Sequence, residues 1–486
     1  MKKVLIIISS SMLVLIVVLL VRTAQFTSKQ IQVDPAPTIV IDTEAVATRL
    51  AGALRFPTIS YRDRTLRDEA VFSALNDYLI NSFPLIHTTL LREAVGNHGL
   101  LYTWLGTEPD LKPILLMGHV DVVPVEPGTE GDWEYPPFSG RIADGHIWGR
   151  GAIDNKCSVL AILEAVEMLL RDQHQPDRTV FLAFGQDEEV GGNLGAASIV
   201  DLLVSRGVEL EYVIDEGLIV LEDAPPLNAP VAMVGIAEKG YLSLALSVEG
   251  EGGHSSRPSR QTPVGILSSA IASLQDQPFP GGLPGPVRQY LTYVGPELPF
   301  FLRMVFANTW LFGGLIKQQF STSPDTDAVL RTTIAPTMFE GSIKDNVLPI
   351  RANAVVNFRI IPGETIESVT ERVQRIIDDS RISIEQYGDI LGNPSPISST
   401  EAPSFGLIHR TIRQIFTDAV VAPFLMMAAT DSRYYQRLSE NVYRFMPVRQ
   451  SSDDLRMTHG TNERISIESY VDSIRFFRQL IINSNT

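Results

Sequence analysis

Three short apolar runs, Ile114 to Met117, Val180 to Phe184 and Tyr212 to Ile214, are each followed at once by polar residues, as strands buried on both faces should be. Between the first two, Val159, Leu160, Leu163, Val166 and Leu170 line one face of a helix predicted over about 155–170. This alternation over 40–238 predicts an α/β domain with a mainly parallel sheet. Near residue 240 the period changes. GYLSLALSVEGEGG alternates apolar and polar positions and ends in glycines, ANAVVNFRI repeats the alternation at 352–360, and a helix is predicted over 366–377. A smaller α+β lid domain over 239–389 is therefore expected to interrupt the first, which resumes over 390–486 and ends in a helix at 469–482. The stretch 276–325 is rich in Pro and Gly and then strongly apolar (FLRMVFANTWLFGGL). It reads as a buried helical insertion in preference to a second membrane-contacting or oligomer-contacting element.

The N-terminus has its own pattern. Val4 to Val21 form an uncharged run of 18 residues between Lys2-Lys3 and Arg22. As a helix it would span roughly 27 Å, close to the hydrocarbon thickness of a bilayer. Only a poor cleavage site follows, so residues 1–22 read as an uncleaved signal anchor in preference to a cleaved signal peptide, which would leave a secreted protein. Residues 23–39 read as a tether, and the positive-inside rule puts the body outside the cytoplasm.

A formal net charge of −16 disfavours a surface that neutralises nucleic-acid phosphates. The one cysteine, Cys157, allows neither an intrachain disulfide nor a cysteine-based zinc site, so any metal must use His, Asp and Glu.

Those residue types gather at the ends of the predicted strands: Gly118-His119-Val120-Asp121, then Gly185-Gln186-Asp187-Glu188-Glu189, then Asp215-Glu216. In open α/β sheets the binding crevice lies at the carboxyl ends of the strands, so three distant groups would converge there. His119 and Asp121 suit a ligand and its orienter, because a metal-bound imidazole donates its other N–H to a carboxylate. Of the adjacent carboxylates at 187–189, one can bind metal while its neighbour works as base. Asp154, in GRGAIDNK, either caps the helix that follows or bridges two metals with its two oxygens.

The runs GHVDVVPV, WEYPPFSGRIADGHIWGRGAIDNK, GQDEEVGG, YVIDEG and MTHGTNERIS together resemble the zinc metallopeptidase family of aminoacylases, carnosinases and carboxypeptidases. Within it the likeness is to the branch of carboxypeptidase S and the N-fatty-acyl-amino-acid hydrolases, over about 40–486. The resemblance implies a zinc-peptidase-like catalytic domain and two Zn2+ per chain, one held by His119, Asp154 and Asp215, the other by Asp154, Glu189 and His459. It implies Glu188 as general base and Asp121 as the orienter of His119. GEGGHSSRP implies His254 as an oxyanion-stabilising residue that reaches a neighbouring active site in a homodimer. DNVLPIRANAVVNFRIIPG implies Asn346 and Arg359 as substrate-binding residues, an arginine fork suiting a free carboxylate. The expected reaction is hydrolysis of an amide next to a free carboxylate, in a small peptide or an N-acyl amino acid. The rivals are a membrane-tethered binding protein on the same fold without catalysis and a serine hydrolase, whose G-x-S-x-G elbow is missing from the chain.

Overall fold

The computed structural model describes residues 1–388 and 390–485; the expected lid boundary at 389 and the last residue, 486, lie outside the described residues. Eight strands form one sheet in the larger domain, in the order Leu91–Val95, Gly99–Trp104, Val180–Gly185, Ile114–His119, Tyr212–Leu221, Val442–Gln450, Val231–Glu238 and Val420–Met426. Ile114–His119 runs parallel to both Val180–Gly185 and Tyr212–Leu221, and Tyr212–Leu221 runs parallel to Val442–Gln450. Towards one edge, Gly99–Trp104 and Leu91–Val95 run antiparallel. The sheet is thus mixed but mostly parallel, in an α/β domain.

Ile114–His119 and Val180–Gly185 are buried along their whole length because both faces of the sheet are covered. The helix Lys156–Arg171 packs on one face with the C-terminal helix Ile467–Asn483 against it. On the other face Ala196, Ile199 and Leu203 of the helix Ala196–Ser205 meet Leu115, Met117 and Phe181.

The region expected to form the lid contains a four-stranded antiparallel sheet, in the order Thr333–Glu340, Arg351–Ile360, Gly240–Glu249, Ile382–Gln386. Its alternation buries Leu242, Leu244, Leu246, Val356 and Phe358 against the helices Pro263–Asp276 and Ile366–Ile377. The opposite side of the sheet carries Tyr241, Ser243, Val355 and Asn357 and lines a cavity of about 740 Å³, shared with Arg62, Val190 and Asn193 of the larger domain.

Two stretches depart from expectation. The apolar part of 276–325 is not a buried insertion. Helix Gly285–Val294 does pack on the edge strand Val420–Met426, but in the following helices Phe300–Ala307 and Thr309–Phe320 only Ala307 and Ile316 are buried. These two helices lie at the margin of the cores: Phe306 and Phe320 reach their edges, while most of the other large side chains stay outside. The second departure is the segment read as a tether, which lies against the body. Gln30 donates from Nε2 to the Val421 carbonyl (2.9 Å) and accepts the Val421 N–H at Oε1 (2.8 Å), so a side chain satisfies the open edge of the sheet. The Ala36 N–H donates to the Gln414 carbonyl at 3.0 Å.

Candidate metal centre and active site

His119 ends the strand Ile114–His119 and is 1% exposed. Its Nδ1 lies 3.0 Å from the Asp121 backbone oxygen and 3.3 Å from the Asp121 carboxylate, which turns Nε2 into the crevice. There Nε2 meets Asp154 Oδ1 at 2.9 Å and Glu216 Oε1 at 3.2 Å. The other Asp154 oxygen, Oδ2, lies 2.9 Å from His459 Nε2, which is also 3.3 Å from Glu189 Oε2. Each oxygen of one aspartate thus faces a different imidazole. Two three-residue groups result, His119–Asp154–Glu216 and Asp154–Glu189–His459, with Asp154 common to both.

Asp154 does not cap the helix after it: Asn155 occupies that position, without a side-chain cap bond. The residue beside His119 is Glu216, where the sequence reading has Asp215. Successive side chains of an extended strand point to opposite sides, so only one of this adjacent pair can face His119. Asp215 turns the other way, accepting the Ser432 N–H at Oδ2 (3.0 Å) and the Glu216 N–H at Oδ1 (2.8 Å).

Asp121 has a wider reach than one imidazole. Its carboxylate accepts the backbone N–H groups of Glu188 (3.1 Å) and Glu189 (3.2 Å), fixing both glutamates relative to His119. Glycine is required opposite Asp431: a Cβ on Gly192 (φ +66°) would fall 1.8 Å from Asp431 Oδ1, and one on Gly185 2.7 Å from Oδ2.

The electrostatics are those of crowded carboxylates. Burial pushes the Glu188 carboxyl well above its usual range, aided by Asp431 and Glu216, and pushes Glu216 up to about 8. Burial would also raise Asp154, but the hydrogen bonds from His119 and His459 outweigh it and hold its carboxyl well below the ordinary value. Hydrogen bonds to Asp154 and then Glu189 lift His459 to about 10. Buried Glu189 Oε1 has no partner among the described residues. This excess of oxygen donors with two imidazoles fits divalent cations, which would take over the charge that protons balance here. Metal must displace those protons, so occupancy should rise with pH.

Glu463, which the sequence did not single out, ties the centre together. Arg150 Nη1 donates to its Oε2 at 2.6 Å, and the N–H groups of Ile153 and Asp154 donate to its Oε1 at 2.8 and 3.2 Å. Arg150 Nη2 also donates to the His459 carbonyl at 3.1 Å, so one buried ion pair links the loops carrying Asp154 and His459. Removing the charge strands Arg150. Glu463→Gln should cost about 3–5 kcal/mol, read as a lower urea midpoint; an unchanged midpoint would deny Glu463 this role.

Three expected site residues lie on the lid, apart from the cluster. Arg359 is half-buried, its guanidinium 4.6 Å from the centre of the Tyr241 ring. His254 and Asn346 are exposed neighbours on a short ribbon, where the Ser255 N–H donates to the Asn346 carbonyl at 3.2 Å and His254 pairs with Val347.

The profile of peptidase family M20/M25/M40 matches residues 115–483. The chain belongs to this family. It is accordingly an amide-bond hydrolase of a metal-dependent peptidase family. A probable carboxypeptidase S-like protein of Dictyostelium discoideum is 41% identical over 478 residues, covering 96% of this chain and 91% of the relative. An N-fatty-acyl-amino acid synthase/hydrolase of Mus musculus is 38% identical over 449 residues, covering 91% and 88%. Among solved structures, an M20 family metallo-carboxypeptidase of Sulfolobus solfataricus shares the peptidase fold with a TM-score of 0.66 at 19% identity, over 92% of this chain and 100% of the other.

Proposed function

We propose that this peptidase-family member holds two Zn2+ ions, one among His119, Asp154 and Glu216 and one among Asp154, Glu189 and His459, and cleaves amides next to a free carboxylate. The observation that carries this reading is Asp154, whose two oxygens each approach a different histidine at 2.9 Å. Cations in these positions would polarise the scissile carbonyl and acidify water. Glu188, next to the Glu189 ligand, holds the proton of the attacking water and returns it to the leaving nitrogen. Burial raises its pKa above the usual carboxylate range, which favours uptake of the water's proton. Asp121 is a positioning residue for His119, Glu188 and Glu189.

Substrates of this class are N-acyl amino acids and small peptides with a free C-terminal carboxylate. Arg359 supports the carboxylate: burial depresses its pKa, partly offset by the Tyr241 phenol, and no carboxylate is among the causes that act on it, so its guanidinium is a partly desolvated cation suited to an anion. The cavity between lid and sheet, which includes Val190 beside Glu189, offers room for the rest of the substrate. His254 and Asn346 would serve a neighbouring copy in a homodimer, and Ile343, Val347 and Ile350, exposed beside them, are apolar surface that such a copy would cover. The helix Lys2–Gln25, apolar and exposed along nearly its whole length, acts as the membrane anchor with the body outside the cytoplasm.

A panel of N-acyl amino acids and dipeptides, each with a free or an amidated C-terminus, tests the reading. Arg359→Ala should lower kcat/KM for free acids by about 10- to 100-fold, the worth of a charge-assisted contact, and leave amidated analogues at the same low rate as wild type. Equal loss on both sets would remove Arg359 from carboxylate recognition.

A further inference from the structure

The apolar helices Phe300–Ala307 and Thr309–Phe320 form a hairpin that presents Phe300, Phe301, Leu302, Trp310, Leu311 and Leu315 to the outside, between 38% and 75% exposed. Single exposed apolar residues are ordinary on a soluble protein, but six large ones within 16 positions are not. Charge points the same way. From 298 to 324 a chain of net charge −16 has no Asp or Glu, only Arg303 and Lys317.

Position decides what covers this surface. The helix Lys2–Gln25 packs against Phe300–Ala307, and Thr23, 1% exposed, is enclosed at that junction. The Asn308 side-chain amide approaches both Thr23 Oγ1 and the Leu19 carbonyl at 3.4 Å, and Phe26 lies against Gly295. The hairpin is thus fastened to the outer end of the helix proposed as the anchor. A bilayer crossed by that helix must reach its boundary where the hairpin begins.

We propose that this hairpin is a membrane-immersed foot: its Phe, Leu and Trp side chains enter the acyl boundary of the lipid leaflet around the anchor, with Arg303 and Lys317 at the phosphates. Eight and twelve residues are too few to span, since twelve rise only about 18 Å, so both helices lie in the interface. Trp at the interface and basic side chains reaching headgroups are the usual partners of such an element. The consequence is that the body is held in a fixed attitude to the membrane. The inference rests on the anchor reading above, and the test separates the two.

Trp310 makes the test direct, because it is 54% exposed while Trp104, Trp133 and Trp148 are 2%, 8% and 6% exposed. The full chain is reconstituted into phosphatidylcholine vesicles containing lipid brominated on the acyl chain, and wild-type emission is compared with that of Trp310→Phe. The foot predicts loss of the Trp310 emission in brominated vesicles and no bromine effect on the Trp310→Phe chain. Flotation of the same samples reads the anchor independently. A chain that floats with Trp310 unquenched keeps the anchor and overturns the foot, and a chain that fails to float overturns both. Cross-linking between copies through Leu311→Cys, with Trp310 unquenched, would give this face to a second copy and likewise overturn the proposal; the native Cys157 is buried and does not confuse that readout.

Discussion

Glu188→Gln should leave the chain folded and fully loaded with metal while slowing turnover by about 100- to 10,000-fold, the usual contribution of a positioned general base. The substitution keeps the size of the side chain and leaves the backbone N–H that donates to Asp121 in place, so Glu189 and His119 have no reason to move. Glu188 is also absent from both three-residue groups, so its loss subtracts no ligand. The check is kcat alongside metal content per chain. Activity within a few-fold of wild type would move the base elsewhere.

Asp154→Asn should empty both metal positions and abolish turnover with them. Outer-shell partners of a metal ligand are typically worth about 10- to 100-fold in affinity, and a shared ligand should exceed that at both positions at once. The amide retains one oxygen, but it offers a donor to His119 or His459 in place of the second. By contrast, changing Glu189 or Glu216 strips one group and leaves the other whole. The signature of the aspartate is therefore simultaneous loss, read as metal per chain after dialysis against trace chelator. Retention of one ion by Asp154→Asn would show that the groups do not share it.

Much of this centre was legible in the chain because its ligands follow buried strands. The runs ending at Met117 and Phe184 are apolar on both faces, and the first polar residues beyond them can only lie at the crevice. His119, Asp121, Glu188 and Glu189 fall in that class. His459 was reached through resemblance alone, since it stands on a loop with no strand to announce it, at φ +61°. The choice between Asp215 and Glu216 was not legible: two adjacent carboxylates carry the same chemistry, and only the pleat of the strand decides which one faces His119. Glu463 was hidden for another reason, because its role is to neutralise Arg150, 313 positions away in the chain, and such pairs leave no local pattern.

The outer helices show the same limit in the opposite sense. An apolar stretch such as FLRMVFANTWLFGGL implies burial, but the sequence does not say in what. Only Phe306 of the stretch packs against the main core, and most of the rest is left outside, beside the N-terminal helix. Gln30 gives a smaller example, since nothing in a Pro-containing segment of mixed character predicts that one amide side chain will close the edge of a sheet nearly 400 residues later.

Calorimetric titration of the metal-free chain with Zn2+ at pH 7.5 bears most directly on the shared aspartate. The account predicts two ions bound per wild-type chain, one for Glu216→Ala, and none for Asp154→Asn. A wild-type chain that saturates with a single ion, or an Asp154→Asn chain that still takes up one or both, would contradict it.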